Sequence, residues 1–370
     1  MALTLHGTVS DNTAVLSRPN AKPLIINGDM NIAQRATSVT GHTGGGYTTL
    51  DRWRFDVNTL GTWTIAQTAS GPGDTGLTNS FRVDCTTADA SPAAGDYAIY
   101  GTRLEGQDVQ LFKKGTSSAE KMTVSFWVKS NKTGTYIMEI DDNDNARNIN
   151  QAYTISSADT WEKKVLTFAG DTTGAFGNDN GDSLRLLWWL GSGSNFSSGS
   201  LQTAWAGTDN TKRAVGNVNV GDNTANDWSI TGIQLEVGEF DANSIAPFQH
   251  ESFGDNLSRC QRYLYDPLRG TTHAYGVFCH VTCVSTTVAR GVFQLPREMR
   301  TLGTVVTSGA IEVTGDSFHP ACTSIATTGR SGTMTTEMSF TVGSGLSSGE
   351  GAIVRRENNA STTFRLDAEL

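Results

Sequence analysis

The sequence is poor in charge, in regularly spaced cysteines and in long apolar runs. Only 18 % of its 370 residues are charged, and the net charge of −9 is spread without clusters, so we expect no nucleic-acid partner. Five cysteines at scattered positions argue against a disulfide framework and favour a reducing compartment. No apolar window approaches the roughly 20 residues of a membrane span. No signal peptide is evident either, so we expect a soluble protein without membrane insertion.

Catalytic motifs are missing as well. There is no nucleophile elbow, no zinc-protease helix pattern, and no pair of acidic residues that stands out for glycoside cleavage. Residues 71–76 (GPGDTG) match a dinucleotide fingerprint in letters. Turn formers surround them, however, and no helix follows to hold a pyrophosphate. The sequence therefore predicts no catalytic residue, no cofactor and no enzyme.

One acidic stretch resembles the start of a calcium loop. Asp141, Asn143 and Asn145 carry oxygen ligands at alternating positions, but Ala146 and Ala152 stand where an EF-hand needs glycine and a bidentate glutamate. We interpret the stretch as a polar loop between strands and predict no metal. Calcium at this loop, or at 178–182, stays as an alternative.

What is abundant favours short strands and tight turns. The chain has 40 glycines, and apolar residues alternate with polar ones in many segments. Residues 24–245 are predicted to form a jelly-roll-like antiparallel β-sandwich, and residues 266–370 a second, smaller β-sandwich. Residues 246–265 are expected to form a rigid connector with one helical turn, capped by Asp255. Residues 1–23 are expected to form a docking arm. The predicted fold class is all-β.

Aromatic residues on outward strand faces are the candidate binding residues. Adjacent strand residues face opposite ways, so Trp188 belongs to the core and Trp189 to the outer face. Trp127 likewise falls with polar neighbours. Outward tryptophan or tyrosine rings can stack on the apolar face of a sugar, and Trp127, Trp189 and Tyr47 are our glycan-binding candidates. The alternative is that a neighbouring domain or subunit covers these rings.

Several motifs in a fixed order resemble bacteriophage tail fibres. They span roughly residues 24–265 and read INGDMNIAQR from Ile26, YTTLDRWRF from Tyr47, MTVSFWVKS from Met122, a segment from Trp161 to Phe168, ITGIQLEVG, and APFQHESFGDNLSRCQRYLY from Ala246. PREMRT from Pro296 looks like the continuation into the C-terminal domain.

The resemblance implies a structural protein of a tailed-phage virion, usually a homotrimer, assembled in the host cytoplasm and located in the tail. It implies a carbohydrate-binding-like sandwich, other virion tail proteins as partners through the arm, and a host-surface glycan or protein as receptor. No catalytic residues come with it. We therefore predict a tail fibre that attaches the particle to its host through distal loops, with avidity from several copies.

Two alternatives come from other functional classes. A collar or head-decoration protein would bind only other virion proteins and no glycan. A glycan-degrading spike enzyme would need an acid pair in a groove, and would more often carry the periodic repeats of a β-helix, which this sequence lacks.

The docking arm gives the first testable prediction. Deleting residues 1–23 should leave a folded body, because the arm has too few apolar residues to belong to a core. That body should no longer assemble, because the arm is the expected docking segment. Light scattering measures the assembly and circular dichroism the fold. Unchanged assembly of the truncated chain would contradict the docking role.

Overall fold

The structure is a computed structural model that describes residues 22–370, so residues 1–21 of the predicted docking arm lie outside the described part. The chain divides into two compact units. Unit 1 runs up to Phe253 and includes Leu370, and unit 2 is Gly254–Glu369. An eight-residue helix, Phe253–Cys260, stands at the division. It begins two residues before Asp255, so this residue lies in the first turn of the helix and does not cap it.

Unit 1 is a sandwich of two six-stranded antiparallel sheets. Sheet I has the order β1-β3-β4-β12-β6-β9 and sheet II the order β11-β8-β7-β10-β5-β2. The predicted jelly-roll-like sandwich is confirmed. Its strands are β1 Ser38–His42, β2 Arg54–Asn58, β3 Thr62–Thr68, β4 Ser80–Thr87, β5 Tyr97–Glu105, β6 Met122–Ser130, β7 Gly134–Asp142, β8 Arg147–Ile155, β9 Glu162–Phe168, β10 Asp182–Ser192, β11 Ala206–Gly207 and β12 Asp227–Val237. A four-residue helix, Ser194–Ser197, follows β10.

The inner faces of the two sheets meet in an aromatic core centred on Tyr100. Its ring stacks on Phe81 at 4.1 Å and on Trp53 at 5.1 Å between centroids. Trp228 meets the same ring edge-on at 5.6 Å. All of these side chains are buried, and burial raises the pKa of Tyr100 well above its usual value. Large flat rings fill the space between the two sheets and pack it densely.

The sequence motifs that resemble tail fibres contact one another around this core. The side-chain amide of Asn27 donates to the carbonyls of Ile32 and Asp51, both at 2.9 Å. The indole of Trp53 donates to the carbonyl of Asn27 at 2.9 Å. Gly28 lies so close to the carbonyl of Ile233 in β12 that a Cβ atom would clash. Three motifs far apart in sequence therefore form one structural joint.

Unit 2 is a smaller sandwich, as predicted. A six-stranded sheet of order β17-β20-β14-β15-β19-β18 packs on a three-stranded sheet of order β13-β21-β16. Within residues 22–370, no helix is long and apolar enough to cross a membrane. The strands are β13 Leu264–Tyr265, β14 Val277–Cys283, β15 Val288–Gln294, β16 Thr304–Ser308, β17 Ile311–Thr314, β18 Cys322–Thr327, β19 Thr335–Val342, β20 Gly351–Arg356 and β21 Thr363–Asp367.

A buried ammonium group ties the loops at one end of unit 1 together. Lys114 Nζ lies 2.5 Å from Asp142 Oδ2 and 3.0 Å from Asp171 Oδ2, and these side chains are almost fully buried. It also donates to the carbonyls of Thr173 at 2.9 Å and Gly174 at 2.8 Å. Arg147 supplies the second positive charge, at 2.7 Å from Asp171. Two cations and two anions therefore balance one another, and of the four only Arg147 is partly exposed.

Asp171 shows that the balance is favourable. Burial opposes its ionisation, but hydrogen bonds from Arg147 and Lys114 outweigh the burial and lower the pKa of this carboxyl. An acid with a lowered pKa in the folded state stabilises the fold above the pKa of the unfolded chain. The cluster therefore depends on the ammonium staying in place.

Lys114→Met should destabilise unit 1 by about 3–5 kcal/mol, because it leaves buried carboxylates without their cation. All eight tryptophans lie in unit 1, so the free energy of its unfolding can be followed by tryptophan fluorescence in urea. The neighbouring Lys113 pairs with Glu120 on the surface, and Lys113→Met should cost less than about 1 kcal/mol. Equal losses in the two variants would contradict this role.

Candidate functional site

Two tryptophans and two lysines form a small surface on the outer face of sheet I, which we call the platform: Trp127, Lys129, Trp161 and Lys163. Trp127 of β6 lies directly opposite Lys163 of β9. The ammonium group of Lys129 lies 5.3 Å from the centroid of the Trp161 ring. Tryptophan and lysine thus alternate across two neighbouring strands. All four side chains are partly exposed.

The platform exists because side chains alternate along β6 and β9. Val124, Phe126 and Val128 point into the core of unit 1 and are fully buried, so the residues between them point outward. Trp161 comes directly before β9 and two residues before Lys163, a position diagonal to Trp127, and diagonal neighbours are roughly 7–8 Å apart. The two indole rings are thus close enough for one bound molecule to contact both.

The rest of the outer face beside the platform is covered by the chain itself. A Cβ atom on Gly232 would lie 2.5 Å from Leu77 and 3.2 Å from the Trp127 ring, so both side chains pack directly over this glycine. The Trp127 ring is therefore held along one edge. Several other outward residues of β6 and β12 are buried, namely Thr123, Ser125, Ser229, Thr231 and Gln234.

The structure corrects the prediction for Trp189. It lies on the outer face of sheet II as expected, but its side chain is fully buried. Phe196 packs on its ring at 5.3 Å, and Ala214 belongs to the same apolar cluster. The segment 193–217 folds over this face, so a sugar cannot reach the ring. Strand alternation identified the face, whereas the covering segment comes from tertiary folding.

The same segment also buries a carboxylate. Glu139 Oε2 accepts a hydrogen bond from the indole of Trp189 at 2.8 Å, and Arg213 Nε lies 2.9 Å from Glu139 Oε1. Asn148 donates to this carboxylate at 3.1 Å. Burial raises the pKa of Glu139 although Arg213 favours its ionised form. This network attaches segment 193–217 to sheet II.

Tyr47 lies at a different place from the platform. Its ring stands between two guanidinium groups, with Arg35 at 5.5 Å and Arg54 at 5.4 Å from the centroid. Arg54 binds both oxygens of Asp56, at 2.5 and 2.6 Å. The ring is partly buried and already makes two cation–π contacts. Arg54 belongs to β2 at the edge of sheet II, whereas Trp127 belongs to β6 of sheet I, so Tyr47 is not part of the platform.

The three calcium candidates of the acidic stretch do not converge on one point in this structure. Asp141 pairs with Arg185 at 3.3 Å on the outer face of sheet II. Asn143 donates its amide to the carbonyl of Asp182 at 2.8 Å. Asn145 donates to Asp142 at 2.9 Å. Calcium needs several oxygens around one point, and within residues 22–370 no three acidic, histidine or cysteine side chains cluster to hold a metal.

The melting temperature of unit 1 should accordingly stay within about 1 °C when calcium is added or removed by a chelator, since only a ligand bound to the folded state shifts it. Scanning calorimetry or tryptophan fluorescence measures the melting temperature, and magnesium is the control ion. A rise that is specific to calcium would restore the metal site.

Sequence reasoning identified one platform residue, Trp127, and missed Trp161, Lys129 and Lys163. The signal was present: Trp161 stands directly before an alternating segment that ends at Phe168. What the sequence could not supply was the register, which places Lys163 opposite Trp127. Without the pairing of β6 with β9, the four residues are two unrelated segments about 35 residues apart.

No protein-family model matches the sequence, and no curated protein matches it. Among solved structures, the chain is similar to the enzymatically active domain of tailspike protein 4 from bacteriophage CBA120, with 11 % identity, a TM-score of 0.30, 58 % of this chain covered and 21 % of that one. This chain therefore spans about a fifth of that tailspike chain.

Two carbohydrate-binding modules are similar at the same level. One is TmCBM61 in complex with β-1,4-galactotriose, at 7 % identity and a TM-score of 0.30, with 59 % of this chain and 99 % of that chain covered. The other is the family 11 module from Clostridium thermocellum in complex with a mixed-linked tetrasaccharide, at 11 % identity and a TM-score of 0.27, with 55 % and 97 % covered. At these identities and scores the matches assign neither a family nor a ligand to the chain.

Proposed function

We propose that unit 1 binds glycans on the platform, and that the chain is a trimeric tail fibre of a tailed-phage virion that attaches the particle to its host. The observation that carries the proposal is the pair Trp127 and Trp161, two partly exposed indole rings on one face of one sheet. Indole rings offer a large, rigid apolar surface at little cost in conformational entropy. The apolar C–H face of a sugar ring matches such a surface.

Attachment fits a shallow platform. A site on the open face of a sheet contacts only part of a ligand, so a single copy is expected to bind weakly. Several copies on one particle multiply weak contacts into firm attachment without new interactions. The assignment to a virion tail rests on the motifs that resemble tail fibres, which in this structure meet at the joint of Asn27, Trp53 and Gly28. We further propose that the protein acts by binding and not by catalysis.

A glycan array with the purified full-length chain should therefore give binding that depends on the platform. The variant Trp127→Ala with Trp161→Ala should weaken binding by about 30-fold or more, as expected when a central aromatic pair is lost. Tyr275→Ala is the matched control, because Tyr275 is an exposed aromatic residue of unit 2. Tyr47→Ala tests the other candidate and should leave binding unchanged.

Three results would lead elsewhere. Binding to other virion proteins without any glycan would favour the collar or head-decoration alternative. Release of reducing ends from host polysaccharide would favour the spike enzyme.

Light scattering should give three times the chain mass of 39.5 kDa, and a monomer at working concentration would contradict the trimeric fibre.

A further inference from the structure

The lysines of the segment 113–212 in unit 1 divide into paired and unpaired ones. Eight lysines lie between residues 113 and 212. Within the described part of the chain, six of them form ion pairs, and the two that do not are Lys129 and Lys163 of the platform. The paired ones are Lys113, Lys114, Lys121, Lys132, Lys164 and Lys212.

Lys163 is the more informative of the two. It is partly buried beside Trp127, and burial lowers the pKa of its ammonium group. A cation partly withdrawn from water without a counter-ion is less well solvated, and an anion placed next to it would offset that cost. The adjacent Lys164 faces the other way and has its partner, Glu162, at 2.5 Å. The missing counter-ion is therefore particular to the platform face.

Lys129 places a second positive charge on the same surface. Its ammonium group lies over the Trp161 ring, which makes a cation–π contact with it, and it also favours the ionised form of Asp227 without forming an ion pair with it. Two ammonium groups and two indole rings thus alternate on one small surface. The chain as a whole carries a net charge of −9, so this local positive charge is not part of a generally basic surface.

We propose that the platform selects anionic glycans: a sugar ring lies on Trp127 and Trp161, and its carboxylate or sulfate group accepts hydrogen bonds from Lys163, with Lys129 as the second cation. This inference rests on the proposed glycan-binding function and gives it a substrate class. Hydrogen bonds between charged groups are about twice as strong as neutral ones, so the acidic group would dominate the choice among sugars.

The test compares probes that share a backbone and differ in charge. Polygalacturonate and its fully methyl-esterified form separate carboxylate from neutral sugar, and dextran sulfate and dextran do the same for sulfate. Biolayer interferometry with the full-length chain should show at least about tenfold tighter binding of one acidic form than of its neutral partner. This preference should decrease as salt increases.

Variants then assign the preference to one side chain. Lys163→Gln should reduce binding of the acidic form by about tenfold and leave the neutral form unchanged. Lys164→Gln is the matched control, since it alters the neighbouring lysine on the opposite face, and should change neither. Lys164→Gln also removes the ion pair with Glu162, so the urea midpoint of unfolding is measured for each variant to detect a loss of stability.

Each outcome decides between the two proposals. Equal binding of acidic and neutral forms, or an equal effect of the two lysine variants, would overturn the anionic preference while leaving glycan binding intact. Absence of binding to all four probes by a folded protein that still binds neutral glycans on the array would overturn the preference alone, and absence of binding both here and on the array would overturn the glycan-binding function as well. An acid-specific signal that survives Lys163→Gln would show that another surface binds the anion.

Discussion

The alternation of side chains along a β-strand is the constraint on which the rest of unit 1 depends. Each of its two six-stranded sheets has an inner face, which the rings around Tyr100 fill, and an outer face that must be covered, solvated or used. Segment 193–217 covers part of the outer face of sheet II, and the surroundings of Leu77 cover part of sheet I. The platform is where two outward tryptophans remain partly exposed.

The strands with one apolar face could be predicted, and others could not. The alternating sets around Val124, Tyr136 and Leu184 became β6, β7 and β10. In β5, Tyr97 and Ile99 pack under segment 193–217 while Tyr100 enters the core, so both faces are apolar and the alternation vanishes. In β8, the outward Asn148 and Asn150 are buried in hydrogen bonds. Tertiary covering, which local sequence does not encode, hid these strands.

The buried cluster of Lys114 explains why the acidic stretch from Asp141 resembled a calcium loop. Carboxylates and carbonyl oxygens do converge at this end of the sandwich, but around an ammonium group. Asp142, the acidic neighbour of the candidate residues, is the one that points to it. Lys114, 28 positions earlier in sequence than Asp142, supplies the positive charge. In the calcium alternative a metal ion would have supplied it. The acidic composition was informative, whereas the identity of the cation depended on a long-range contact.

The position of the platform beside an edge strand separates its two chemical tasks. β9 ends sheet I, and edge strands need charged side chains to prevent pairing with other chains. Glu162 and Lys164 meet that need as a closed ion pair. The edge is therefore protected without Lys163. This lysine lies on the opposite face beside the Trp127 ring and has no ion pair there with any described residue. The anionic glycan that we propose would supply from outside the chain the counter-ion that the fold does not give to Lys163.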